Sequence, residues 1–415
     1  MIYFLKALRF GRHRFILLAV SSGVVPVRSR SVLSSTLVLA VLLLTAVPAG
    51  ASFTVSVYYP SWALYDGFSP SEIPLDNVSI VVYAFLRPLA NGTVVYGDPY
   101  ADGINLEKLR ELKRTHPSVR FLVSVGGWTF SENFSKFASS KAGRRAFAES
   151  VLAILREYEL DGVDVDWEFP CWVPNGGEEF LALVQTLRET LGDSYIITVT
   201  APADADTASC VDWSNVSRFV DYIGLMTYDY AGPWLNFTYF NAPLYYPGVG
   251  PGSVNETVSW YLKIVPAKKL LLGIPFYGRA FTGVPARNFG LYQSFENATD
   301  EVPYSSVVKL VENCSVLWSE RAEVPWAYCP NGTFLTYDDP KSVAEKTRYA
   351  LAKGLGGVMV WQITEDVVNG RHVLLGAIVK EIGAHTEQNM RAEHQEKCRP
   401  HVVFWVLARF RREVL

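Results

Sequence analysis

Three carboxylates alternate along one short segment of the sequence, Asp161-Gly-Val-Asp-Val-Asp-Trp-Glu. Asp164, Asp166 and Glu168 are two residues apart, so a β-strand would place them on one face, with successive pairs about 6.6–7 Å apart. Like charges this close push their pKa values apart, and we expect at least one of the carboxyl groups to hold a proton at neutral pH. One site then offers both a proton donor and a fixed anion, which is the requirement of acid–base catalysis.

Two other interpretations of these carboxylates are weaker. A metal ion needs oxygen ligands that converge from several directions, whereas a straight strand spreads them along a line. A structural hydrogen-bond network does not need a glutamate at the open end of the strand. No CxxC pair and no Cys/His cluster with zinc spacing occurs in the sequence. We therefore expect neither a metal ion nor a cofactor.

Eight short β-rich runs punctuate residues 52–383, and most of them are continuously apolar, as strands buried on both faces of a parallel sheet are. Amphipathic helical patterns separate several of them. The α/β alternation predicts a (β/α)8 TIM barrel, with Glu168 at the mouth where barrel active sites lie. A doubly wound sheet is the alternative, but no GxGxxG follows the first strand. The predicted strands are Thr54–Tyr59, Val78–Phe85, Val119–Val125, Gly162–Glu168, Tyr195–Ala201, Val220–Thr227, Leu270–Phe276 and Gly357–Trp361, and the predicted helices are Leu106–Thr115, Ala142–Tyr158, Glu178–Leu191 and Ser342–Lys353.

Additional segments flank and interrupt the predicted barrel of residues 52–383. The last two predicted strands start 87 residues apart, which indicates a small α+β insertion at about 282–338, a stretch rich in Tyr, Trp and Pro. Residues 384–415 show no clear periodicity before a short apolar-basic stretch. We predict that this C-terminal tail is a weakly ordered appendage, and its role is unknown.

The first 51 residues resemble an export signal. They carry six Lys and Arg and no acid, and the apolar run Thr36–Val47 precedes a small-x-small pattern formed by Ala49 and Ala51. We predict cleavage after Ala51 and secretion of the mature chain. A membrane anchor is the alternative, although the run is shorter than the ~20 residues that a span needs. An earlier apolar stretch, Phe15–Val27, is unusual for a signal peptide and is consistent with translation starting further in.

Charge excludes one class of partner. Residues 52–383 carry a net charge of −11, against +6 for residues 1–51 and +2 for residues 384–415. Nucleic acids and anionic lipids require concentrated positive charge, so we expect no nucleic-acid partner.

An exported chain meets oxidising conditions, which favour disulfides. Cys171 and Cys210 follow the fourth and fifth predicted strands, which are neighbours in a barrel, and we predict that they pair. Cys314 and Cys329 lie 15 residues apart in the insertion, and Cys398 is left over in the tail. Four cysteines allow three pairings, and sequence alone does not choose between them.

Nine Asn-x-Ser/Thr sequons predict a glycosylated surface, at Asn77, Asn91, Asn133, Asn215, Asn236, Asn255, Asn297, Asn313 and Asn331.

The spacing Asp161-x-x-Asp164-x-Asp166-x-Glu168 resembles the DxxDxDxE signature of glycoside hydrolase family 18, the chitinase family. The resemblance covers essentially all of residues 52–383, and it favours a chitinase with a barrel and an insertion domain. Further elements resemble those of the family in the same order, namely Tyr83–Phe85, Ser124–Trp128, Met226–Asp229, Gly273–Arg279, Leu335–Asp339 and Gly357–Trp361.

The resemblance implies a substrate-assisted mechanism without a protein nucleophile. Glu168 would protonate the glycosidic oxygen and then act as a base toward water. The 2-acetamido group of the sugar would attack the anomeric carbon, oriented by Asp166 and by the hydroxyl of Tyr228. Asp164 would lie behind Asp166 and share a proton with it. Asp161 has the opposite parity, so we expect it to be structural.

The resemblance also implies a set of sugar-binding residues. Trp361 would offer a flat apolar face to a pyranose ring. Gly126 and Gly127 would let the backbone approach closely beneath the sugar, and Trp62 and Trp234 are candidates for extending the cleft. The central subsite would be lined by Tyr58, Phe85, Gly127, Trp128, Met226, Asp229, Tyr277 and Arg279.

Two rival functions stay open. Members of the family that have lost the acid are lectins, but Glu168, Asp166 and Tyr228 are all present here. An endo-β-N-acetylglucosaminidase acting on N-glycans would use the same chemistry, although the insertion favours a deep cleft for chitin. No separate chitin-binding module is visible, so we expect activity on soluble N-acetylglucosamine oligomers or swollen chitin rather than on crystalline chitin. We also expect a monomer without an obligate protein partner.

Overall fold

The structure is a computed structural model that describes residues 8–10, 13–15 and 53–397, with side chains from 53 to 391. The chain divides into two units, residues 1–50 and 51–415. In the first unit, Leu8–Phe10 pairs antiparallel with His13–Phe15. The predicted cleavage site, the apolar run before it and Cys398 lie outside the described residues. None of the described helices is long and apolar enough to cross a membrane.

Eight parallel strands form a closed barrel, as predicted. Each strand pairs with its neighbours in chain order, and the first also pairs with the eighth, which closes the sheet. Nearly every residue of these strands is buried, because side chains fill the barrel on one face and helices cover the other. The strands are β1 Thr54–Pro60, β2 Ile80–Pro88, β3 Arg120–Gly126, β4 Gly162–Asp166, β5 Ile196–Pro202, β6 Tyr222–Met226, β7 Leu270–Pro275 and β8 Gly357–Trp361.

Helices surround the barrel, and several begin at a side chain that accepts hydrogen bonds from the first turn. Asp98, Ser140, Ser253 and Asp339 cap helices in this way. The longer helices are α1 Pro99–Thr115, α2 Lys141–Glu157, α3 Gly176–Leu191, α4 Val254–Tyr261, α5 Pro340–Ala352 and α6 Val373–Lys397. Shorter helices are Gly127–Phe130, Phe134–Ala138, Ala205–Ala208, Trp213–Val216 and Tyr304–Leu310.

The prediction of a weakly ordered appendage from residue 384 was wrong as far as Lys397, because α6 continues through it. The sequence from Ala384 to Lys397 contains neither Gly nor Pro, so nothing in it interrupts a helix that has already started.

An antiparallel sheet and the helix Tyr304–Leu310 lie between β7 and β8. The sheet begins at Tyr277, ahead of the start predicted near residue 282. Its strands run in the order Asn297–Ala298, Tyr277–Thr282, Phe334–Thr336, Val324–Tyr328 and Ser315–Ser319, and Val302–Pro303 also pairs with Tyr277–Thr282.

Both cysteine pairs have their sulfur atoms at bonding distance. Cys171 pairs with Cys210, which joins the loops after β4 and β5 as predicted, and Cys314 pairs with Cys329 at the edge of the antiparallel sheet.

Candidate active site

Asp164 is the deepest of the three carboxylates and is surrounded by hydroxyl groups. It lies level with Ser124 of β3 and Thr198 of β5, since these residues are partners in the parallel register. Its oxygens accept hydrogen bonds from Tyr58 (2.8 Å), Ser124 (2.7 Å) and Thr198 (2.6 Å). Burial raises the pKa of Asp164, and the three hydroxyl donors oppose that shift because they stabilise the anion.

Asp166 ends β4, with Gly126 of β3 as its register partner. It is 4% exposed and accepts a hydrogen bond from the hydroxyl of Thr200. Burial, and then the charge of Asp164, raise the pKa of Asp166 to about 7. A pKa near 7 lets Asp166 change between its neutral and charged forms near neutral pH.

Glu168 lies two residues beyond the end of β4, so the predicted strand was too long. The half-buried side chain is at the carboxyl mouth of the barrel. Its backbone N–H donates to the hydroxyl of Ser131 (2.9 Å), which fixes the turn after the strand. Burial, and then the charges of Asp166, Asp229 and Glu301, raise the pKa of Glu168 well above its usual value. These influences favour the protonated carboxyl group, which is the form that can donate a proton.

Tyr228 faces the same mouth from the loop after β6. Burial, followed by the charges of Asp166 and Asp229, raises the pKa of its hydroxyl well above the usual value. The hydroxyl thus stays protonated and is a hydrogen-bond donor at any physiological pH.

Asp229 is the common acceptor of a hydrogen-bonded, charged cluster beside Tyr228. It accepts hydrogen bonds from the hydroxyl of Tyr277 (2.6 Å) and from Nε of Arg279 (3.0 Å). The guanidinium of Arg279 also lies 5.0 Å from the ring centre of Trp234. Asp229, Tyr277 and Arg279, predicted for the central subsite, thus lie together with Trp234, predicted to extend the cleft.

Trp361 ends β8, on the opposite side of the barrel from β4, and lies in a cluster of aromatic rings. Its ring stacks on Phe85 at 5.6 Å and lies 5.6 Å from Tyr58 and 6.2 Å from Trp62. Tyr58 itself is only 3% exposed, and its hydroxyl is occupied by Asp164. Tyr58 and Met226, which is 9% exposed, thus lie in the apolar layer beneath the site.

Glu301 is a polar group of the site that motif matching missed. It lies just before the short strand Val302–Pro303, and its carboxylate accepts a hydrogen bond from the indole N–H of Trp361 (3.0 Å). Although the residue is exposed, desolvation of its carboxylate beside Trp361, together with the charge of Asp229, raises the pKa of Glu301 to about 7.

Two glycines at the end of β3 are required by close protein contacts. Gly126 and Gly127 have φ values of 116° and 71°. A Cβ on Gly126 would lie 2.1 Å from the carbonyl oxygen of Asp166, and one on Gly127 would lie 2.7 Å from the ring of Phe85. The close approach that was predicted beneath the sugar is therefore an approach to Asp166 and Phe85.

Asp161 immediately precedes β4, at the opposite end of the strand from Glu168. Its carboxylate is 2.9 Å from Nζ of Lys113 and 3.2 Å from the guanidinium of Arg120, and it accepts the backbone N–H of Phe121 (2.9 Å). These contacts join α1, β3 and β4 at the amino end of the barrel.

Comparison with known proteins places this architecture in a family. The model of glycosyl hydrolases family 18 matches residues 54–366. Chitinase 1 of Aphanocladium album is 31% identical over 372 residues, which cover 79% of this chain and 86% of that protein. Chitinase A1 of Niallia circulans is 31% identical over 399 residues, and the match covers 77% of this chain and only 57% of that protein.

A solved structure has the same fold. The Ostrinia furnacalis Group IV chitinase in complex with allosamidin superposes with a TM-score of 0.74 at 30% identity, covering 81% of this chain and 99% of that one. Because the family model matches most of the chain and the similarity to relatives extends over the barrel, the chain belongs to glycosyl hydrolases family 18.

Proposed function

We propose that the chain is a chitinase that hydrolyses β-1,4 bonds between N-acetylglucosamine units of chitin and chitooligosaccharides. The observation that carries this proposal is the position of Glu168 just beyond β4 at the barrel mouth, where burial and the charge of Asp166 raise the pKa of its carboxyl group. The relatives support the choice of substrate, since they are named chitinases and one solved relative was crystallised with allosamidin.

The first chemical step would break the glycosidic bond. Glu168 gives its proton to the bridging oxygen, and the bond between that oxygen and the anomeric carbon breaks. The carbonyl oxygen of the sugar's own acetamido group bonds to the anomeric carbon and forms an oxazolinium ion. Asp166 accepts the acetamido N–H and offsets the positive charge, while the Tyr228 hydroxyl donates to the acetamido oxygen.

The second step would restore the acid. Glu168, now ionised, takes a proton from a water molecule whose oxygen attacks the anomeric carbon, and the oxazolinium ring opens. Two inversions at the same carbon give net retention of configuration. Trp361 would support the ring of the reacting sugar, and Asp229, Tyr277 and Arg279 would bind its polar groups.

Digestion of a defined N-acetylglucosamine hexamer, followed by chromatography, tests this function. We expect shorter oligomers to accumulate, with the β-anomer of the new reducing end formed first. Binding of the hexamer without products would instead favour a lectin. Release of an N-glycan from a glycoprotein, with the hexamer left intact, would favour the endo-β-N-acetylglucosaminidase.

We also infer that the enzyme is exported and acts as a monomer. The two disulfides support export, because such bonds persist in oxidising compartments. Analytical ultracentrifugation of the secreted protein at micromolar concentration tests the monomer, and a sedimenting species of twice the chain mass would contradict it.

A further inference from the structure

A cavity of about 240 Å³ opens beside Glu168, with aromatic walls formed by Trp128, Phe169 and Trp172. Trp128 is 70% exposed and Trp172 is 58% exposed. Large exposed aromatic side chains that are grouped around a cavity mark a binding site more often than a plain surface. The size of the cavity suits a single sugar unit rather than an oligomer.

The position of this cavity relative to Glu168 identifies which sugar it could bind. Trp361 ends β8, whereas Glu168 and Trp172 follow β4, four strands away around the closed barrel. In the proposed function the reacting sugar occupies the site of Trp361, Asp166 and Tyr228, and Glu168 protonates the bond that joins it to the next unit. That next unit must therefore extend past Glu168, toward the cavity.

Trp172 is the central member of the aromatic group. Its ring meets Trp128 edge-to-face at 5.8 Å and Phe169 edge-to-face at 5.0 Å. Phe169 directly follows Glu168 in the chain, and Glu168 lines the same cavity as Trp128 and Trp172. The aromatic group is thus adjacent to the proposed catalytic acid.

A disulfide joins the turn that carries Trp172 to the loop after β5. Trp172 ends a single turn, Pro170–Trp172, and the adjacent Cys171 is bonded to Cys210. The start of α3 packs tightly on the same bridge, since a Cβ on Gly177 would lie 2.0 Å from the carbonyl oxygen of Cys210. The bridge therefore links the residue next to Trp172 to two neighbouring segments.

We propose that Trp172 binds the leaving N-acetylglucosamine unit and that the Cys171–Cys210 disulfide positions it there. This assignment rests on the proposed function and deepens it. Trp172 then determines which oligosaccharides bind productively. The disulfide contributes to this specificity by positioning Trp172, in addition to its role as a structural link.

Comparison of two substrates for Trp172→Ala tests the role of the tryptophan. The N-acetylglucosamine hexamer places sugars in the cavity, whereas chitobiosyl fluoride has a leaving group too small to contact Trp172. We expect kcat/KM for the hexamer to fall about tenfold or more, mainly through KM, as for a buried aromatic contact. The value for the fluoride should stay within about twofold, and Trp172→Phe should recover part of the loss. Equal losses on both substrates, or no loss on either, would overturn the assignment.

Removal of the disulfide tests its positioning role, with the second disulfide as a matched control. The double variant C171S/C210S should show the same selective loss of kcat/KM for the hexamer as Trp172→Ala. The variant C314S/C329S should leave the ratio of kcat/KM for the two substrates unchanged. An unchanged ratio in a folded C171S/C210S protein would contradict the role of the bridge. If C171S/C210S does not fold, the wild-type protein can be reduced and then reoxidised. The ratio of kcat/KM for the two substrates should then recover together with the Cys171–Cys210 bond.

Direct binding separates this inference from the proposed function. If the wild-type protein cleaves neither substrate, the proposed function is wrong. In that case, calorimetric titration with the hexamer still tests whether Trp172 contacts the oligosaccharide. Replacement of Trp172 by Ala should weaken hexamer binding about tenfold, and an unchanged affinity would overturn the assignment.

Discussion

At the residue scale, the three carboxylates differ in what surrounds them. Asp164 receives three hydroxyl donors, Asp166 receives one, and Glu168 lies in a site where several negative charges surround it. Their proton affinities therefore differ although all three belong to one short segment. In the proposed mechanism, this gradient would let Glu168 act as the acid while a neighbouring carboxylate orients the acetamido group.

Replacement of Glu168 by Gln should remove turnover and retain binding. Gln keeps the shape of the side chain but has no proton to give, and general acid catalysis alone contributes about 10²–10⁴ in rate. Because Glu168 serves both steps, we expect kcat to fall by the upper end of that range or more. Calorimetry should show hexamer affinity within about threefold of wild type. Glu178→Gln, an exposed change in the first turn of α3, is the control and should keep full activity.

The pH profile should respond to Glu301. Negative charge on Glu301 helps to raise the pKa of Glu168, and activity needs protonated Glu168, so the rate falls as pH rises through that pKa. Glu301→Gln removes the charge and leaves an oxygen that can accept from Trp361. We expect the alkaline limb of kcat/KM to move to lower pH by a fraction of a unit. The effect should grow above about pH 7, where Glu301 is ionised.

The control for this change is Glu296→Gln, which removes an exposed carboxylate a few residues earlier in the same segment. Its alkaline limb should match that of wild type. A limb that moves to higher pH in Glu301→Gln, or an equal movement in both variants, would show that Glu301 does not act on Glu168 by charge.

At the element scale, the strands could be predicted well because barrel strands are buried on both faces and therefore appear in the sequence as continuous apolar runs. The carboxylate face of β4 followed from alternation alone, and the Cys171–Cys210 pair followed from the adjacency of β4 and β5. The roles of Trp361 and Tyr228 needed the family resemblance, since a tryptophan or a tyrosine at a strand end has no distinctive spacing.

Other features could not be predicted because loops determine them. Glu301 and Trp172 reach the site from segments without a strand or helix pattern, so no periodicity indicates them. Ser131 contacts the backbone of Glu168 from a short turn, and a single serine carries no positional signal. The end of β4 was placed too late because alternation of carboxylates continues to Glu168 after the hydrogen-bonded strand has ended.

Asp161 should contribute to stability rather than to turnover. Its carboxylate joins α1, β3 and β4 at the amino end of the barrel, and the side chain is 10% exposed. Asp161→Asn keeps an acceptor for the N–H of Phe121 but loses both ion pairs, which should cost about 1–2 kcal/mol. We expect the melting temperature to fall by a few degrees while kcat at 25 °C stays the same.

Asp66→Asn, a change at an exposed loop position, is the control for Asp161→Asn and should leave the melting temperature unchanged. A large loss of kcat in folded Asp161→Asn would contradict the structural role of Asp161.

At the scale of the whole molecule, the surface agrees only in part with the nine sequons. Six of the sequon asparagines are exposed, namely Asn77, Asn91, Asn236, Asn297, Asn313 and Asn331. Asn133, however, is 6% exposed, and its amide donates to the carbonyl of Pro88 (3.1 Å). A glycan on Asn133 would remove that contact, so modification at this sequon is incompatible with the folded barrel. Glycosylation at the exposed sequons stays a prediction.

Export predicts a defined amino terminus. If residues 32–51 act as a cleaved signal, the secreted protein should begin at or near Ser52, immediately before the first described residue of the barrel unit. Amino-terminal sequencing of the extracellular protein measures this directly. Recovery of residues 1–31 on that protein would contradict cleavage after Ala51.

The most direct test of the central claim compares two hexamers that differ only in the acetyl groups, N-acetylglucosamine hexamer and fully deacetylated glucosamine hexamer. In the proposed mechanism the nucleophile belongs to the substrate, so the acetylated hexamer should be hydrolysed and the deacetylated one should give no detectable products over the same time. Efficient hydrolysis of the deacetylated hexamer would contradict the account, because the nucleophile could not then be the acetamido group of the substrate.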